Sequence, residues 1–266
     1  MSATIKLSSP ATKEFWEIPV LFEDGDLLAL DKPAGLMLSQ DPVAPERPGL
    51  IKLLHDAIAA GKPWASERNL TYLNPAHRLD TETSGVLLLA KNKPAFLALA
   101  DQFGAEKPVR NHITLVQGVP PDERFEVDEK IGAHPLKPAE MRIDSRGGKK
   151  SKTEFTVLEA FSRWSLVRCA PLTERPQQIR LHLSHAGFPV VGDGWHHGKP
   201  LWLSRLKRDF HLKPGREERA LIPQPVVHLE ELSFSHPVTN ETVTIKSEWP
   251  KALRVAVKYL RQYAKD

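Results

Sequence analysis

The sequence predicts an α+β fold, and three observations carry that expectation. Apolar runs of strand length and apolar stripes of helical period follow one another irregularly, without the βαβ rhythm of a doubly wound sheet. An Asp-Gly turn between two apolar runs marks an antiparallel hairpin near the start. No fixed-period repeat or low-complexity tract is present, and a chain of 266 residues buries a sizeable core without disulfides or metals.

Residues 1–17 are polar and rich in Ser and Thr, and read as an N-terminal extension, extended or frayed, ahead of one catalytic domain over 18–266. From Ile18 two apolar runs flank Glu23-Asp24-Gly25-Asp26, a hairpin that Pro33 and Gly35 then break. Gly49–Ala60 carries apolar residues at 50, 51, 54, 57 and 58 before Gly61, a helix with a glycine stop. Asn92 suits an N-cap, Pro94 a first turn, and Phe96, Leu99, Ala100 and Phe103 one helix face that Gly104 ends. His112–Gln117, Thr153–Phe161 and Trp164–Cys169 have β composition. Pro176–Ala186 is a short helix closed by Gly187, Val226–Ser235 and Thr242–Lys246 are late strands, and Pro250–Tyr263 is a C-terminal helix.

Composition narrows the function. The clean apolar runs, Val86–Ala90 among them, are well short of the ~18 residues of a membrane span, and the first sixteen residues hold no apolar signal region. Cys169 is the single cysteine, which excludes a disulfide framework and thiolate-rich metal sites and points to the cytoplasm. The net charge of +4 is concentrated. Between Lys137 and Lys152 six basic residues, among them Lys149, Lys150 and Lys152, meet two acidic ones, and between Lys199 and Arg219 seven meet three. Both stretches read as exposed loops, either solvated surface or the cationic contacts a polyanion needs.

Chemistry concentrates in Asn74–Lys91. Asp80 sits between polar groups (His77, Arg78, Thr81, Thr83, Ser84) and the apolar run Val86–Ala90. A carboxylate at the mouth of a buried strand beside a guanidinium stays ionised, fit for a nucleophile or a base, or for an N-cap or structural ion pair.

The string His77-Arg78-Leu79-Asp80-Thr81-Glu82-Thr83-Ser84-Gly85-Val86-Leu87-Leu88-Leu89-Ala90-Lys91 closely resembles the H-R-L-D-x-x-T-S-G-x-L-L-x-A-K signature of pseudouridine synthases of the RluA type. The resemblance continues in the strand pair ending at Lys32-Pro33, in Thr173–Leu183 (similar to T-G-R-x-H-Q-I-R-x-H-L), in Gly187–Asp193, and in Leu232–Pro237, so it spans roughly residues 18–260. It implies a mixed, largely antiparallel central sheet with helices and loops around a catalytic cleft. It also implies isomerisation of uridine to pseudouridine in ribosomal or transfer RNA without cofactor or metal. By the same resemblance Asp80 is the nucleophile, Arg180 pairs with it, and Arg78 contacts RNA and helps displace the base. His77, Arg175, Lys149, Lys150 and Lys152 are expected as further RNA contacts, the three lysines on the ground of their concentrated charge. No membrane partner is expected, and a monomer is the default. The S4 domain carried by many relatives has no room in this length.

The sequence departs from the family pattern at three places. His112 stands where the family has a tyrosine, Glu174 where it has a glycine, and Gln177 where it has a histidine. Imidazole can still stack on uracil, and Arg175 is the expected partner of Glu174. The alternative to an active synthase is a weak or inactive RNA-binding protein on the same fold, favoured by His112 and opposed by the retained Asp80 and Arg180. Three unrelated readings are weaker. They are an S-x-x-K acylase at Ser204–Lys207, a metal at His196-His197 with Asp193 or His211, and a glycosidase pair at Asp80 and Glu82.

Overall fold

A computed structural model describes residues 3–40, 46–213 and 215–264. Its chain contacts divide into two units, Met1–Val109 with Leu229–Glu248 and Arg110–His228 with Trp249–Asp266. In chain order the elements begin with β1 (Thr4–Ser9), β2 (Glu14–Glu23), β3 (Leu27–Lys32), α1 (Leu50–Ala59), α2 (Pro63–Ser66), β4 (Asn74–Pro75), β5 (Thr83–Ala90) and α3 (Lys93–Gly104). They continue with β6 (Val109–Gln117), β7 (Arg124–Asp128), β8 (Ile131–His134), β9 (Lys137–Ile143), β10 (Lys152–Phe161) and β11 (Trp164–Pro171). Last come α4 (Gln178–His185), β12 (Val227–Ser235), β13 (Thr242–Lys246) and α5 (Lys251–Tyr263). The α+β expectation is met, with strands paired antiparallel throughout the registers described below.

In the first unit β1 pairs with β2, β2 with β3, and β3 with β5, all antiparallel, and β12 pairs with β13. The hairpin between β2 and β3 closes as the Asp-Gly signal predicts. Asp24 Oδ1 accepts the backbone N–H groups of Asp26 at 2.8 Å and Leu27 at 2.7 Å. The other oxygen of Asp24 meets His236 Nε2 at 2.9 Å, tying this turn to the end of β12. All eight residues of β5 are buried, which is why its sequence lacks the alternation of a half-solvated strand. The Asn92 side chain caps α3 by accepting the Ala95 N–H at 2.9 Å, as its position foretold. The left-handed turn after α3 falls on Glu106 (φ 56°), while Gly104 stays inside the last helical turn.

This unit also takes in residues read as an extension. Ile5 and Leu7 of β1 are buried, and they join the core of Leu27–Leu30, Leu50, Leu54, Leu99 and the β5 side chains. Two apolar residues in a short alternating stretch are enough to seat a strand once its partner, β2, supplies hydrogen bonds.

The second unit is built on the antiparallel order β6-β11-β10-β7. One apolar cluster joins Ile113, Leu115, Phe161 and Leu166 to Leu253, Val257 and Leu260 of α5. Another joins Val116, Phe155, Val167 and Cys169 to Ile179 and Leu183 of α4. The β8–β9 hairpin is a separate two-stranded sheet.

The basic stretch 137–152, expected as loop, therefore corrects in part to strand. Lys137–Ile143 is β9, paired with β8, and Lys149 exchanges backbone hydrogen bonds with Ile131 at 3.0 and 2.9 Å. The apolar alternation here, Met141 and Ile143 against Glu140 and Arg142, is too short to stand out among the surrounding charges. The stretch 199–219 is irregular apart from a short 3-10 turn at Leu203–Arg205.

Candidate active site

In the first unit the site grows out of the turn that leads into β5. Thr83 N–H donates to Asp80 C=O at 3.1 Å, closing the turn with the half-buried Asp80 side chain at its start. Gly85 holds its backbone at φ 109°, and a Cβ there would lie 2.2 Å from the Leu229 carbonyl oxygen of β12. The glycine of the T-S-G string is thus demanded by a close approach of two strands, not by the reaction.

Lys32 lies beneath this turn, fully buried at 0% exposure. Its Nζ donates to the carbonyls of Thr83 at 2.8 Å, Pro33 at 3.0 Å and Thr81 at 3.3 Å. Burial lowers its pKa from 10.5 to about 8, with the nearby carboxylates of Asp80 and Glu82 acting in the opposite sense. A cation that gathers the carbonyls of Pro33, Thr81 and Thr83 fixes the turn that follows Asp80 and sets a positive charge near its carboxylate. The sequence marks Lys32 locally by a Lys-Pro directly after the second strand, while its contacts with Thr81 and Thr83 are tertiary.

The other groups of the string behave unequally. Arg78 is exposed, as a contact to RNA requires. His77 is 8% exposed, and its ring stacks on Phe103 with centroids 5.1 Å apart. Its Nε2 accepts the Leu88 N–H at 3.1 Å. The expectation that His77 contacts RNA is corrected accordingly, since this imidazole serves as a hydrogen-bonded core side chain.

In the second unit α4 presents Arg180, 4% exposed. Nε and Nη2 of Arg180 each donate at 2.6 Å to the two carboxylate oxygens of Asp193, a bidentate pair buried from water. Trp195 lies 5.8 Å over the guanidinium, and its exposed ring adds a cation–π contact. His196 completes the group, with Nδ1 3.8 Å from Asp193 and its pKa lowered by burial, which keeps the ring neutral. The helix opens on Gln177 at φ 58°, a left-handed residue rather than a side-chain cap.

His112 is buried in β6 opposite Cys169 of β11. Glu174, expected to be neutralised by Arg175, is paired instead with Arg110 of β6. Arg175 donates to the Glu174 backbone carbonyl at 2.8 Å. The acid at this position is thus part of a mostly buried ion pair.

Of the three lysines, Lys149 and Lys150 are exposed with no carboxylate partner among the described residues. Lys152 donates to Glu126 at 2.8 Å, so part of its charge is already spoken for. Likewise Lys137 pairs with Glu140 and Arg142 with Asp144.

Among the described residues the one His/Cys/Asp/Glu group close enough to share an ion is Asp24, Asp26 and His236, and it does not include His196, His197 or His211. No helix among them is long and apolar enough to cross a membrane.

Residues 26–185, which hold Asp80, His112 and Arg180, match the family model described as RNA pseudouridylate synthase. The chain belongs to the RNA pseudouridylate synthase family. Curated relatives agree. The ribosomal large subunit pseudouridine synthase C of Salmonella typhimurium is 30% identical over 91% of this chain and 70% of its own length. A Bacillus subtilis protein described as an uncharacterized RNA pseudouridine synthase is 28% identical over 92% and 74%. The ribosomal large subunit pseudouridine synthase D of Zymomonas mobilis is 29% identical over 96% and 77%. Among solved structures, human RNA Pseudouridylate Synthase Domain Containing 4 superposes with a TM-score of 0.70 at 23% identity, covering 91% of this chain and 92% of its own. The protein therefore has the pseudouridine synthase fold and is an RNA pseudouridine synthase.

Proposed function

We propose that this synthase isomerises uridine in ribosomal RNA, with Asp80 as its nucleophile and Arg180 as a second group on which the reaction depends. The observation that carries the reading is Asp80 itself. Its half-buried carboxylate lies at the head of a wholly buried strand, in a turn gathered by the Lys32 ammonium. The relatives named for the large ribosomal subunit support ribosomal RNA as the substrate class.

The chemistry follows in order. The target uridine leaves its stack at a cost of a few kcal/mol, offset by cationic contacts such as exposed Arg78. Asp80 acts on the ribose, the N1–C1′ bond breaks, and the detached uracil turns within a water-poor pocket. A C5–C1′ bond then forms, the C5 proton departs, and N1 takes one up. His112 stands in the place of the family tyrosine, and an imidazole is a ring able to stack on uracil.

Carbodiimide primer-stop mapping of ribosomal RNA treated with wild type and with Asp80→Asn tests the proposal. New stops with wild type, none with the variant, and RNA affinity within a few fold are expected. Full activity of the variant removes Asp80 from the nucleophile role, and stops confined to transfer RNA remove the substrate assignment.

A further inference from the structure

The second unit contains an open cavity of about 720 Å³ that includes none of the residues assigned above to the reaction. Buried Leu201 and Leu206 form its floor. Three partly buried aromatic rings, Trp164, Trp202 and Tyr263, stand in its walls, with Tyr263 braced by Tyr259 at a centroid distance of 6.1 Å. Arg163, Lys199, Arg205 and Arg208 reach it from exposed positions, and no carboxylate lines it. None of the four cations has a carboxylate partner among the described residues. The main chain around the cavity is held firmly. Lys199 N–H donates to Gln117 Oε1 at 2.8 Å, Leu201 exchanges backbone bonds with Leu221 and Ile222, and Ser204 N–H is fixed by Glu218 at 2.9 Å.

Such a lining selects its ligand by chemistry. Unpaired guanidinium and ammonium groups at a rim favour phosphodiester oxygens, which arginine grips with parallel donors. Aromatic faces below the rim suit a planar base, and stacking on them tolerates any base identity. The volume falls in the range that encloses a small-molecule-sized group, enough for one nucleotide.

We propose that this cavity is an accessory docking site for an unpaired nucleotide of the RNA substrate, gripped by its phosphate at Arg163, Lys199, Arg205 and Arg208 and by its base at the tryptophans. It rests on the RNA-modifying function and adds a contact outside the reacting uridine. It also gives the stretch 199–219 a defined task, since Lys199, Arg205 and Arg208 supply most of the cavity's charge.

The test uses the full chain and a short fluorescein-labelled oligoadenylate, which contains no uridine and so cannot be turned over, read by anisotropy. Arg205→Glu with Arg208→Glu, both exposed, is expected to weaken binding about tenfold or more and to lower the salt slope. Trp202→Ala is expected to weaken it about fivefold, with Trp202→Phe restoring most of the loss. Reversing two exposed lysines of the other unit, Lys93→Glu with Lys107→Glu, is expected to change it less than about twofold, and AMP is expected to bind at least about tenfold more weakly than the oligomer. The proposal is overturned if the arginine pair changes binding no more than the lysine pair does. It is also overturned if AMP binds as well as the oligomer, which marks a free-nucleotide site. Asp80→Asn leaves oligoadenylate binding intact in either case, so failure of the nucleophile assignment and failure of this site are separately visible.

Discussion

The two units hold their key charged side chains in opposite ways. In the first, Asp80 is placed by main chain, through the closed turn, the glycine contact of Gly85 with Leu229, and the carbonyls gathered by Lys32. In the second, Arg180 is placed by another side chain, the Asp193 carboxylate, with Trp195 above it. A group positioned by backbone is sensitive to the shape of the chain and indifferent to most neighbouring side chains. A group positioned by a buried ion pair is sensitive to the charge of the partner that holds it.

Substitutions can break this contrast, and the largest effect is expected at Gly85. Gly85→Val places a branched side chain where a Cβ already meets the Leu229 oxygen at 2.2 Å, at a φ of 109°. Loss of the cooperative thermal transition, or of soluble protein, is the expected outcome, and a Tm within a few degrees of wild type refutes the close-approach account. Next comes Asp193→Asn, which removes the charge facing a guanidinium that is 4% exposed. A loss of about 3–5 kcal/mol is expected from urea unfolding, together with weakened pseudouridine formation. A loss below about 1 kcal/mol would place the support of Arg180 elsewhere.

Lys32→Met tests the backbone mode from a side chain that contributes to it. The pKa of Lys32 in the fold is about 8 against 10.5 for an ordinary lysine, so between these values the unfolded chain binds the proton more readily. The stability linked to this lysine is therefore smallest below pH 8, grows as pH rises from 8 towards 10.5, and is complete above it. The difference in unfolding free energy between wild type and Lys32→Met should widen with pH across that window, and a flat difference contradicts the assignment. The smallest effect concerns the surface. Neutralising Lys149 and Lys150 should reduce the salt slope of RNA binding by between one and two, whereas neutralising Lys152, already bound to Glu126, should reduce it less. A reduction of about 0.9 on neutralising Lys152 alone, the value of one unshielded contact, would show that the Glu126 pair does not shield it.

Much of this was legible beforehand where one residue type has one physical use. Asn92 could be named as a cap, Asp24 as a turn former and Val86–Ala90 as a buried run, because capping, turn closure and full burial each leave a local mark. What stayed hidden depends on partners distant in sequence. His77 reads as a polar group beside a carboxylate until Phe103 and Leu88 are seen to enclose it. Glu174 reads as a charge facing RNA until Arg110 meets it, and the neighbouring Arg175 was the wrong guess for that reason. The β8–β9 hairpin escaped because its alternating apolar residues form short runs set among charges. Asp193 ends the Gly187–Asp193 string, and nothing local says that its carboxylate meets Arg180.

One consequence of the buried strand β5 concerns how the enzyme fails. Amides in the middle of a strand whose eight residues are all buried exchange with solvent only when the unit opens as a whole. The turn that carries Asp80 is the direct N-terminal continuation of that strand. Fraying at the periphery, as in the polar β8–β9 hairpin, therefore leaves the nucleophile's turn standing. On heating, catalytic competence and the slowest-exchanging amides should vanish at the same temperature, while substrate capture by peripheral segments fades earlier.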